Sequence, residues 1–194
     1  MKKINRYIVE KLNKISSKNT HKTSKYNVGD VIEDYMLDHT FGQNKVDLVC
    51  VISGDDIEDG IDRFIIDTRN ELVYPFGRSI DIPFKNESDI DGIENSKIIR
   101  RKYKALNHKT PCGALMIANL FTINSYLPAI GELKLMYDNI DIINKSLKHK
   151  ISDLGFYLSS TQKNKNEVYV LNIKGNIDVT YKNTYEICLP FIQL

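Results

Sequence analysis

Ile4, Tyr7, Ile8, Leu12 and Ile15 recur at helical spacing with Lys and Arg on the opposite side, which predicts an amphipathic helix over residues 3–15. A helix of this length is marginal by itself and wants a surface to lie against. Residues 16–27 are polar and lack periodicity, as in a linker or extended arm. From Val28 onward the pattern becomes one of short strands. Val46–Ile52 and Arg63–Asp67 are rich in β-branched residues, and Gly54-Asp55-Asp56 with Asp59-Gly60 supplies the turn chemistry of a hairpin or meander between them. Residues 75–96, punctuated by Pro75, Gly77, Pro83 and Gly92, read as irregular. Cys112–Leu120 is small and apolar, a buried helix after the stop at Pro111, and Ile130–Tyr137 is a second helix. Ile140, Ile143, Asn144 and Leu147 mark a third, beyond a break at Asp138-Asn139. Phe156–Thr161, Glu167–Ile173, Ile177–Tyr181 and Tyr185–Ile192 alternate apolar with polar side chains, which predicts an antiparallel meander with a tight hairpin at Gly175-Asn176.

Length and charge refine this picture. A chain of 194 residues can bury one sizeable core, so the expected organisation is a basic helix and linker at 1–27 followed by one domain at 28–194. Charge is segregated along the chain: residues 1–25 carry eight basic and one acidic side chain, net +7, whereas residues 28–96 carry five and seventeen, net −12. A basic arm ahead of an acidic body implies an intramolecular or neighbouring-subunit attraction, or docking on an acidic surface. No unbroken apolar stretch of about 7–15 residues follows Met1-Lys2-Lys3, so no secretory signal is expected. Nor is there an apolar run of about 20 residues of the kind that spans a membrane.

Candidate chemistry is sparse. Cys50, Cys112 and Cys188 are widely separated and read as reduced core thiols, and neither they nor His21, His39, His108 and His149 show zinc-ligand spacing. The acidic tip Asp55, Asp56, Glu58, Asp59 and Asp62 lacks the ligand pattern of a calcium loop and reads as solvated. Lys97, Arg100, Arg101, Lys102 and Lys104 could meet phosphates, but only Tyr103 is interleaved as a stacking platform, so nucleic acid is not an expected partner. No G-x-S-x-G, Gly-rich phosphate loop or H-E-x-x-H occurs. The chain therefore reads as a non-enzyme, with no catalytic, cofactor-binding or metal residues assigned.

Tyr126-Leu127-Pro128-Ala129-Ile130-Gly131-Glu132-Leu133, then Tyr137-Asp138-Asn139 and Tyr157-Leu158-Ser159-Ser160-Thr161, resembles the family named after the C-terminal domain of Legionella collagen-like proteins. Val168–Asn176 is similar to that family's hairpin, and Cys188–Ile192 occupies the place of its final strand. The resemblance implies an α+β, C-type-lectin-like module of two or three short helices and a C-terminal β-meander, clearest over residues 126–194. It makes Leu127, Pro128, Glu132, Leu133, Tyr157, Ser159, Ser160, Thr161 and Gly175 the family-motif scaffold. The chain departs from the pattern in having no Trp, with Leu158 where the family often has one, and in lacking the arginines of the last strand. Lys3–Leu12 resembles the start of proteins from crAss-like Bacteroides phages.

Together these readings lead to the expectation of a phage virion structural protein, a head fibre, tail fibre or capsid decoration subunit. Its anchor would be Lys3, Ile4, Arg6, Tyr7, Ile8, Lys11, Leu12 and Ile15, and its lectin-like domain would project. Expected partners are capsid or tail proteins, further copies in a homodimer or homotrimer, and a host-surface glycan or protein in host attachment. Its expected location is the virion, after synthesis in the host cytoplasm. The alternative is a bacterial surface adhesin or pilus-tip protein, and a third reading is an intracellular binding protein.

Overall fold

The computed structural model describes residues 23–39, 42–67, 72–77, 83–87, 89–105, 125–151 and 155–194. The helix expected at 3–15, with every anchor residue, and the helix expected at 112–120 lie outside them. Strands β1 (Val31–His39), β2 (Gly42–Ile52), β3 (Arg63–Ile66) and β4 (Leu72–Pro75) come first, then helix α1 (Gly92–Ala105). The chain continues through β5 (Ser125–Tyr126), α2 (Ile130–Asp138) and α3 (Ile140–Ser146), and ends with β6 (Phe156–Gln162), β7 (Glu167–Asn172), β8 (Ile177–Tyr181), β9 (Tyr185–Cys188) and β10 (Phe191–Gln193). The fold is α+β and mostly β, as expected.

The strands form two five-stranded sheets, ordered β1-β2-β3-β10-β5 and β4-β9-β6-β7-β8. The anticipated hairpin of residues 46–52 and 63–67 is present as β2 and β3, which pair antiparallel. Two expectations for the C-terminal meander need correction. Tyr185–Ile192 is not one strand: it breaks at Leu189-Pro190, because Pro190 has no N–H for a ladder, and its halves enter different sheets. Nor is the meander wholly antiparallel, for β9 lies beside β6 in parallel and pairs on its other edge with β4. The Gly175-Asn176 hairpin is present between β7 and β8. Residues 75–96 are not irregular throughout, since α1 starts at Gly92.

Alternation along the central strands explains the packing. Val49 and Val51 of β2 join Ile65, Leu133, Met136, Ile143, Tyr169, Leu171 and Phe191 in the main core, shared by both sheets and by α2 and α3. Leu48 and Cys50 point the other way, onto Phe64 and Ile192. In β7, Tyr169 and Leu171 enter the main core while Val168 and Val170 face α1 through Ile99, Leu158 and Phe76. Strands buried on both faces read as nearly continuous apolar runs, which is why 48–52 and 168–171 stand out in the sequence.

The end of the expected linker belongs to the body. Tyr26 meets the Phe64 ring edge-on at 5.2 Å, and Ser24 and Lys25 bond to Asp62 through the Ser24 hydroxyl and the Lys25 amide. Phe191, fully buried and edge-on to Tyr126 at 6.1 Å, fastens the end of the chain into the first sheet. Phe191→Ala is expected to cost about 3–5 kcal/mol, read as a lowered urea midpoint with an unchanged slope.

Candidate functional site

Most of the family-motif residues gather around the start of α2. A helix leaves its first amides without intrahelical backbone partners, and here those of Ala129, Ile130 and Gly131 find acceptors on Glu132, Thr161 and Asp89. Glu132 Oε2 accepts from Ala129 N at 2.8 Å, which is half of a capping box. Ala129 has no side-chain oxygen to form the other half, and Thr161 of β6 meets a different amide, accepting from Ile130 N at 3.0 Å. The Asp89 carbonyl accepts from Gly131 N at 2.8 Å. Thr161 is available because the β6–β7 register shifts between Leu158 and Gln162, a bulge that frees Ser159–Thr161 from the ladder. Ser160 N donates to Pro128 O at 2.7 Å and the Ser159 hydroxyl to Tyr169 O at 2.7 Å.

Two buried charged groups complete the junction. Glu132, fully buried, accepts through Oε1 from Arg63 Nε at 2.7 Å and from the Tyr126 hydroxyl at 2.8 Å. The Arg63 fork then reaches Asp59, with Nη2 to Oδ2 at 2.7 Å and Nη1 to Oδ1 at 3.2 Å, a bidentate geometry that lysine could not reproduce. Burial works against the Arg63 cation, yet the bonds to Asp59 and the charge and bond of Glu132 outweigh it and hold its pKa above the ordinary value. For Glu132 burial dominates and pushes the carboxyl up, against the pull of Arg63 and the bonds it accepts. Asp89 accepts through Oδ2 from Asn95 Nδ2 at 2.6 Å and from the Thr161 hydroxyl at 2.8 Å, and through Oδ1 from Lys85 Nζ at 3.1 Å. Burial alone would raise its pKa, but these bonds together hold it below the usual 3.8.

Leu127 and Leu133 are fully buried, Tyr157 nearly so. Leu127 is fixed at its backbone, its amide donating to Ser96 Oγ at 3.0 Å. Gly175 sits apart from the junction at a turn with φ +74°, where an added Cβ would lie 2.2 Å from the Tyr137 ring of α2. Sequence reasoning did not single out Arg63, Asp89, Asn95, Ser96 or Gly92 as site residues. At Gly92 an added Cβ would lie 2.3 Å from Glu132 Oε2, so a side chain there would collide with the carboxylate.

The acidic tip also departs from expectation. Asp62 is not solvated but only 4% exposed: it accepts from Gly54 N at 2.8 Å and Lys25 N at 3.0 Å, and from the Ser24 hydroxyl. Burial opposes its charge, and these bonds nonetheless hold its pKa below 3.8. Asp59 is tied to Arg63, while Asp55, Asp56 and Glu58 are exposed. Beside this loop a cleft of about 500 Å³ opens toward the first turn of α1. Ile57, Ile61, Ile90 and Ile93 form its apolar wall, and Asp59, Asp91 and Glu94 stand among its polar residues. Lys97, from the basic cluster now placed on α1, also lines it, 4.0 Å from Glu94.

The chain resembles a fimbrial protein from Bacteroides ovatus in fold. The likeness has a TM-score of 0.51 at 13% sequence identity, covering 70% of this chain and 36% of that one. No family model and no curated protein matches the sequence. At this identity the likeness concerns the fold alone, and this chain spans about a third of that protein's length. No helix among the described residues is long and apolar enough to cross a membrane, and no group of three His, Cys, Asp or Glu among them could hold a metal ion. Cys50 and Cys188 are buried. Burial pushes the Cys50 thiol up to about 12, aided by Asp62 and Asp30, so it is protonated and unreactive at neutral pH.

Removing one member of the Arg63–Glu132 pair strands the other in the core. Arg63→Met is expected to lose about 3–5 kcal/mol by urea unfolding, and Arg63→Met with Glu132→Leu to recover part of that loss. The recovery stays partial because Ala129 N and the Tyr126 hydroxyl lose their acceptor. Asp62 and Asp89, with folded pKa values below 3.8, bind fewer protons folded than unfolded. Their contribution is complete above about pH 4 and is lost as pH falls through the folded values. Urea midpoints measured from pH 5 to pH 2 should therefore fall, and fall less steeply in Asp89→Asn.

Proposed function

We propose that this protein is a non-catalytic structural subunit of a phage particle, a head fibre, tail fibre or decoration protein. In this reading residues 28–194 are a projecting C-type-lectin-like domain and the basic segment 3–15 attaches it to capsid or tail proteins as a homodimer or homotrimer. The observation that carries the building-unit reading is the junction itself. Glu132, Ser160 and Thr161, polar members of the family motif, engage in bonds that hold helices to sheet, and Ser159 ties β6 to β7. The succession of α2, α3 and the strands from β6 onward supports the lectin-like assignment. Segregation of net +7 at residues 1–25 from net −12 at 28–96 supports an attachment role for the arm.

A second reading, a bacterial surface adhesin or pilus-tip protein that binds a glycan or protein, is favoured by the fold likeness to a fimbrial protein. Fractionation of the native protein separates the two: co-sedimentation with phage particles supports the virion component, and recovery with the outer membrane supports the adhesin. Because residues 23–27 pack on the body, the informative truncation removes residues 1–22 only. That truncation is expected to leave the body folded and to reduce incorporation into particles to background. Undiminished incorporation would refute attachment through the arm.

A further inference from the structure

The cleft beside the acidic loop has the chemistry of a receptor for a basic amphipathic helix. Its wall is four isoleucines, of which Ile90 is 42% exposed. Asp59, Asp91 and Glu94 line it, and Asp55, Asp56 and Glu58 follow on the adjoining loop. Against these six acids the lining offers two cations: Arg63, bonded to Asp59 and Glu132, and Lys97, close to Glu94. An apolar floor with an anionic surround selects an occupant that is apolar on one side and cationic on its flanks.

The protein carries such a segment, joined to the body at this place. Ser24 N donates to Asp55 Oδ1 at 2.9 Å, and the Ser24 hydroxyl bonds to Asp62, so Ser24 is fixed on the loop that borders the cleft. Residues 1–22 carry seven basic and one acidic side chain, net +6. We propose that residues 3–15 of the same chain dock as a helix in this cleft, with Ile8, Leu12 and Ile15 on the isoleucine wall and Lys11 and Lys14 beside Asp91 and Glu94. Residues 16–22 reach up to about 25 Å when extended, enough to return a helix about 20 Å long to the loop on which Ser24 is fixed. A tether this short sets an effective concentration on the order of millimolar, so an intrinsic Kd of about 0.1 mM keeps the arm docked about ten times as often as free. Docking also supplies the surface that so short a helix needs. The inference does not depend on the virion reading: it concerns where the arm rests in the isolated protein.

The test uses the full chain and a zero-length carbodiimide cross-linker, with peptide mass spectrometry of the monomer fraction. Lys11 or Lys14 is expected to link to Asp59, Asp91 or Glu94 at low ionic strength. The yield should fall about tenfold in 1 M NaCl, where the screening length is about 3 Å. Ile90→Lys should lower it similarly with the body still folded, and Leu12→Asp should do so without altering the body. Absence of these links, persistence of them in Leu12→Asp, or their confinement to covalent dimers would overturn the proposal, the last outcome assigning the cleft to the arm of a second copy.

Discussion

Everything in this fold turns on one buried ion pair. Arg63 opens β3 in the first sheet and Glu132 lies in the first turn of α2, and their contact at 2.7 Å joins segments 69 residues apart. Burying two charges costs several kcal/mol per ion unless geometry and further hydrogen bonds repay it. Here each partner is further engaged: Arg63 forks onto Asp59, and Glu132 takes bonds from Tyr126 and Ala129. The same carboxylate therefore neutralises the arginine, caps the helix and fixes how closely α1 can approach at Gly92. A polar network of this kind tolerates little rearrangement.

The pair also decides what counts as a domain. Residues 126–194 carry the family resemblance, yet they do not close a core without the N-terminal strands. The first sheet is built from β1, β2 and β3 together with β5 and β10, and the main core draws Val49, Val51 and Ile65 from one half and Leu133, Tyr169 and Phe191 from the other. Asp62 reinforces the union, holding Ser24, Lys25 and Gly54 with its carboxylate while its carbonyl accepts from Leu194 N at 3.2 Å.

Much of this was legible where side-chain periodicity and burial agree. β2, β3, α2, α3, β6, β7 and β8 follow the apolar pattern, and Gly175 marks its hairpin by a conformation that disfavours other residues. α1 was hidden because its inner face includes polar residues: Asn95 and Ser96 are buried to bond Asp89, Ser160 and Leu127. The split of β9 from β10 was hidden because the apolar run Ile187–Ile192 continues through Leu189-Pro190 while the partner strand changes. Glu132 was recognised by resemblance, but its partner lies 69 residues earlier, a distance at which local pattern carries no signal. Asp62 was inseparable from its acidic neighbours, since composition does not distinguish a solvated carboxylate from one that gathers backbone amides.

The account stands on the two halves being one cooperative unit, and native-state hydrogen exchange measures that directly. The amides of Ala129, Ile130, Gly131 and Gly54, bonded to Glu132, Thr161, Asp89 and Asp62, should exchange only through global unfolding, all with the same opening free energy. If Gly54 and the amides of β2 and β3 instead open at a distinctly lower free energy than those of α2, the halves are separate units and the central role given to Arg63–Glu132 is wrong.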